Sequence, residues 1–256
     1  MLRICFLFFL LLGCDFLLAQ SAERQQAIDN VALDYLRTIG SQSTLYYGNV
    51  PEGHPRALNH PFLKDVQFAK ARLSYRQVIY PEELLRLDLS RDELVIQTSD
   101  FRNIILIPEN IDFAELHGRN IIYFRQDSLS GSPSSGYYFL LHSATNKVLV
   151  KQTANIMLDN NRQYFYSFST KYYLYHNDAY YVIRNQSGLL KALKPYKKEL
   201  KRFISANKLF FRHDAEKFLS LTIGEYEKIS SSLSKSLHTY QLFWRIFAFR
   251  LLRSSA

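Results

Sequence analysis

A few short stretches hold residue types that could do chemistry. GHPRALNH places His54 and His60 six positions apart, and two imidazoles can begin a metal site. No neighbouring carboxylate completes a recognisable set, and the prolines and glycines around them describe a turn-rich loop. DLSRDE sets oxygens at Asp88, Ser90 and Asp92 like the opening of a calcium loop. Glu93 stands where such a loop needs glycine, however, and Ser99 where it needs its bidentate glutamate, so a hairpin turn accounts for the stretch. His117, His142 and His176 fall in or beside expected strands, where each could meet a carboxylate or a serine.

None of these amounts to a named reaction. The chain contains no G-x-S-x-G, H-E-x-x-H or G-x-x-x-x-G-K-[ST] pattern, and nothing calls for a cofactor or a metal. Both cysteines, Cys5 and Cys14, lie in the first nineteen residues. A chain cleaved after Ala19 has no cysteine, which excludes disulfides, thiol catalysis and Cys-x-x-Cys zinc sites.

Those nineteen residues have the parts of a secretory signal: Arg3, an apolar block from Ile4 to Leu12, and Ala19 closing a second apolar patch. Two processing readings compete. Leu11-Leu12-Gly13-Cys14 resembles a lipobox and makes Cys14 the candidate lipidation site, whereas Phe16, Leu17 and Leu18 carry the apolar run on towards cleavage at Ala19. Either way the protein is expected to be exported, to a periplasmic, cell-surface or extracellular place.

The elements that must position everything else follow from periodicity. Glu23 to Ile39 reads as one helix stopped at Gly40, and the proline-containing stretch from Tyr46 to Phe62 as an irregular connection. From about Arg72 to Arg184, short β-branched and aromatic runs recur between turns: ARLSYRQVIY, LLRLDL, ELVIQT, NIILIP, RNIIYF, GYYFLLHS, KVLVKQT, YFYSF, KYYLYH and AYYVIR. Connections this short favour an antiparallel meander. From Ser187 the period becomes helical, with Ser187 as N-cap, Pro195 as a kink or restart, Asn207 as C-cap and a further helix after Asp214. The expected fold is α+β: an N-terminal helix, a curled antiparallel β-meander that could close as far as a half-barrel, and a basic helical end. The expected divisions are 1–19 as signal peptide, 20–186 as helix plus β domain, and 187–256 as the basic helical segment.

Charge marks that last boundary. Residues 20–186 carry 17 basic and 17 acidic side chains, and residues 187–256 carry 14 basic and 5 acidic, so the whole formal charge of +9 lies in the last 70 residues. KALKPYKKELKR could suggest nucleic acid, but an exported protein seldom meets any. A solvated helix face, or contact with anionic lipid or lipopolysaccharide, fits better.

The segment AYYVIRNQSGLLKALKPYKKELKRFISANKLFF resembles the C-terminal part of an uncharacterised family of exported proteins of Bacteroidota. The resemblance extends back through Phe113 to Gly118 and YPEELLRLDLSRDELVI, and departs at Pro195 and after Leu237. It implies an exported bacterial envelope protein and supplies no catalytic residue.

Eighteen tyrosines include the pairs Tyr46-Tyr47, Tyr137-Tyr138, Tyr172-Tyr173 and Tyr180-Tyr181. Strand neighbours point to opposite faces, so each pair should give one ring to the core and one to solvent or a partner. In the tail, YQLFWRIFAFRLL, a helix would gather Tyr240, Phe243, Trp244, Phe247 and Leu251 on one face and Arg245, Arg250 and Arg253 opposite. At roughly 20 Å it is too short to span a bilayer. It could pack on the domain, pair with a partner, or lie in a membrane interface. The expected function is non-enzymatic binding of an envelope protein or an anionic lipid. A motif-less exported hydrolase, or a carrier of a small apolar ligand inside the curled sheet, are the alternatives.

Overall fold

A computed structural model of the chain describes Val31 and residues 44–232. The expected leader with Cys14, the expected N-terminal helix apart from Val31, and the tail from Tyr240 to Leu252 lie outside the described residues. The fold is α+β, with ten strands in one antiparallel sheet that is not closed into a barrel. The strands are β1 (Ala69–Tyr75), β2 (Val78–Asp88), β3 (Glu93–Gln97), β4 (Asn103–Ile105) and β5 (Ile111–Leu116). They continue as β6 (Arg119–Phe124), β7 (Gly136–Ser143), β8 (Lys147–Leu158), β9 (Tyr164–His176) and β10 (Ala179–Ile183), in the order β10-β9-β8-β7-β6-β5-β1-β2-β3-β4.

Local chemistry explains where the strands differ from expectation. ARLSYRQVIY, expected as one strand, is a hairpin: Arg76 and Gln77 take φ of 52° and 65° between β1 and β2. Neither residue favours that conformation, and the turn is held from outside, because Asp112 Oδ2 of β5 accepts from Gln77 N at 2.7 Å and from Ser74 Oγ at 2.8 Å. Pro81, which has no N–H to give, sits where the β1–β2 register shifts. YFYSF and KYYLYH are one continuous strand, β9. β5 was not among the expected strands, since its buried positions Ile111, Ala114 and Leu116 do not alternate regularly.

The changeover to helix comes at Asn185, not Ser187. Asn185 is extended, and its side chain accepts from Gly188 N at the start of α1 (Gln186–Ala192). Pro195 ends that helix in a 3-10 turn, Lys194–Tyr196, and α2 (Lys197–Ala206) restarts after it. Asn207 closes α2 by donating its amide to Phe203 O at 2.9 Å. The described part of α3 covers 215–232, capped by Asp214 Oδ1 accepting from Lys217 N at 2.9 Å.

The described residues form two compact units: 44–123 with Thr153–Phe168, and Phe124–Gln152 with 169–232. In the first, Leu73, Leu85, Leu94, Ile96 and Leu116 are fully buried. In the second, Leu174 of β9 is buried with Leu189, Leu200, Phe218 and Ile223 of the helices. Tyr172 meets Phe211 of the turn between α2 and α3, and His176 meets Tyr226 of α3, so these segments pack on the β9 face that carries residues 172, 174 and 176.

Each outer strand is blunted. Asn49 O accepts from Ile105 N of β4 at 2.8 Å, and Gly48 lies so close to Ile105 O that a Cβ there would clash. At β10, Ser130 O accepts from Tyr180 N at 2.8 Å beside Gly131, whose φ is +72°. Covered edges of this kind discourage strand-to-strand aggregation.

Candidate functional site

In the first unit, two residues singled out in sequence meet in an unexpected role. His54 pairs with Asp88, not with His60. Its Nε2–H donates to Asp88 Oδ2, which leaves Nδ1 to accept from the Tyr166 hydroxyl at 2.9 Å. The other Asp88 oxygen accepts from Ser90 N at 2.9 Å and Arg91 N at 3.1 Å, which makes DLSRDE the turn between β2 and β3. Arg91 in turn donates to the carbonyls of Glu52 and Gly53, tying down the loop that carries His54. His60 stacks against Phe62.

A carboxylate, an imidazole and a hydroxyl in series invite a catalytic reading. Here, though, Tyr166 as a residue is 3 % exposed, and burial together with the Asp88 carboxylate holds its phenol above the ordinary value. A buried, protonated phenol is a poor nucleophile, and the cluster acts as a clasp that fixes residues 52–59 to the ends of β2 and β9. No three potential metal ligands gather among the described residues.

The second unit brings together two of the three histidines considered for hydrolysis. Glu227 of α3 accepts from His142 Nε2 at 2.9 Å, from Asn146 N at 2.8 Å and from Asn146 Nδ2 at 2.9 Å. Asn146 Oδ1 then accepts from His176 Nδ1 at 2.7 Å. Burial alone would raise the Glu227 carboxyl, but these donors outweigh it and hold the group below its ordinary value. Burial pushes the His176 imidazole down. The partners these histidines find are an acid and an amide, and the network latches α3 to the β7–β8 hairpin. His117 stands apart, at the β5–β6 turn with φ of 53°, pushed down by partial burial and by Lys64.

The tyrosine pairs divide between core and surface less evenly than alternation implies. Tyr137 and Tyr138 are both buried. Tyr138 joins an aromatic cluster with Phe124 and Tyr173, its hydroxyl donates to Ser134 O at 2.8 Å, and Tyr180 caps the same group against Phe124. The loop 125–135 is therefore anchored by aromatic hydroxyls. Burial and Asp127 push the Tyr180 phenol up to about 12. Tyr172 and Tyr173, in contrast, line an open groove of about 380 Å³ together with Lys171, Val182, Arg184 and Phe211.

The basic sequence runs through the 3-10 turn, α2 and the turn that follows it. Lys194, Lys197, Lys198, Lys201, Arg202 and Lys208 are all exposed, with Glu199 the single carboxylate in that span. None of the six has an ion-pair partner among the described residues. Comparison of the chain with protein-family models, with curated proteins and with solved structures finds no match.

Proposed function

We propose that this chain is an exported protein of a bacterial envelope that acts as a non-enzymatic binding module, engaging an anionic envelope component through the cationic surface of its second unit. The observation that carries the reading is the set of six exposed cations between Lys194 and Lys208 with no carboxylate partner among the described residues. A chain that needed these charges only for solubility would gain as much from mixed signs, and clustered like charges repel one another. The signal-like leader and the resemblance to exported Bacteroidota proteins support the address. The groove lined by Tyr172, Tyr173 and Phe211 adds an aromatic wall beside cations, a composition suited to amphipathic ligands.

The test is retention. Immobilised protein lacking residues 1–19 is exposed to envelope and cytosolic extracts of its own host, and bound lipid and protein are identified by mass spectrometry. The proposal expects enrichment of anionic components from the envelope, lost at high salt. Retention at background level from the envelope extract would overturn it.

A further inference from the structure

The loop after α2 gives the cationic surface a second feature. Leu209 N donates to Ile204 O at 3.0 Å, and His213 N donates to Phe210 O at 3.2 Å, so the backbone from 207 to 214 is fixed. Leu209 is buried and Phe211 packs between Tyr172 and Phe218. Phe210 points the other way and is 61 % exposed, with exposed Lys208 and Arg212 on either side of it in sequence. On α2, Leu200 and Ile204 face inward, and at 100° per residue Lys198, Lys201 and Arg202 fall within about 100° of one another on the opposite side.

Phe210 touches the His213 ring at 5.4 Å between centroids, but most of its apolar surface stays in water and gains nothing from folding. Such a ring flanked by cations matches the boundary between headgroups and acyl chains, where aromatic rings settle and basic side chains meet phosphates. We infer that the second unit docks on an anionic phospholipid surface, with Phe210 entering the interface and Lys198, Lys201, Arg202, Lys208 and Arg212 meeting headgroup phosphates. This rests on the proposed function and names its partner: a bilayer, not a soluble anion. No helix of the described residues is long and apolar enough to cross a membrane, and none is needed for this mode.

The chain from Gln20 to Ala256 is titrated with phosphatidylglycerol vesicles and, separately, with phosphatidylcholine vesicles at low salt. Binding to the first and not the second is expected. Reversing three charges in Lys198→Glu/Lys201→Glu/Arg202→Glu should weaken it about 100-fold, at roughly 1 kcal/mol for each cation near an anionic surface. Phe210→Ser should weaken it roughly 10-fold, through loss of one buried ring. Thermal unfolding of each variant checks the fold, and Lys208→Glu/Arg212→Glu replaces Phe210→Ser should that protein be unstable. Equal binding to phosphatidylcholine, full competition by inorganic phosphate, or variants within about twofold of the parent would each overturn the inference. So would loss of binding seen only when the chain ends at Ser236. An unprocessed leader on protein from the host would remove the export reading and leave the vesicle result standing, so the two failures are distinguishable.

Discussion

Asp88 is 3 % exposed because three donors converge on it, from His54, Ser90 and Arg91. Asp88→Ala leaves a half-buried imidazole and two turn amides without their acceptor. It should cost about 3 kcal/mol in urea unfolding, while Tyr166→Phe, which deletes one hydrogen bond, should cost about 1 kcal/mol. A loss below about 0.5 kcal/mol for Asp88→Ala would mean that the clasp is ornamental. The second unit has a pH dependence of its own. His176 is held below its ordinary 6.5, so its unfolded form binds the proton more readily; its contribution is complete above pH 6.5 and is lost as pH falls below it. Glu227 is held below 4.5, so its contribution persists above that value and is lost on further acidification. Stability of the second unit should therefore fall in two stages, and Glu227→Gln should shrink the lower stage, to which Asp127 also contributes, and keep the upper. A single stage unaffected by that substitution would contradict the latch.

At the scale of elements, the Arg76-Gln77 turn is a place where sequence and structure part. Two residues with side chains at positive φ are strained there, and Arg76→Asn/Gln77→Gly should raise unfolding stability by about 1 kcal/mol, since the amides that reach Asn110 O and Asp112 belong to the backbone. A decrease would show that the side chains themselves hold the turn. The same turn shows why the hairpin was illegible: no Gly, Asn or Asp announces it, and the residue that enforces it lies on β5. The antiparallel meander, the restart at Pro195 and the cap at Asn207 were legible because their signals are local. The N-cap was misplaced by two residues because Asn185 and Ser187 are both competent caps, and Asn185→Ala should cost about 1 kcal/mol in α1. The His54–Asp88–Tyr166 clasp was half legible. His54 and Asp88 each drew notice for metal chemistry, but Tyr166 is 112 positions from His54 and no spacing rule joins them. The groove was illegible for the same reason, whereas the basic face of α2 followed directly from its period.

For the whole molecule, the charge distribution is the feature on which the proposed lipid contact rests. A balanced stretch of 167 residues is followed by 70 that carry the entire +9. Attraction that rests on those charges must be screened, so vesicle binding should fade as salt rises towards about 1 M, where the Debye length is about 3 Å. Binding that survives would point to apolar contact as the main term. All of this has meaning only where envelope lipid is present, which places export at the centre. The most direct measurement is the intact mass and N-terminus of the protein recovered from fractionated cells of its own host. Export predicts a chain starting at Gln20 in the envelope or secreted fraction, or at an acylated Cys14 if the lipobox is the signal that is read. A full-length 30.0 kDa chain, Met1 and leader included, recovered from the cytosol would contradict it.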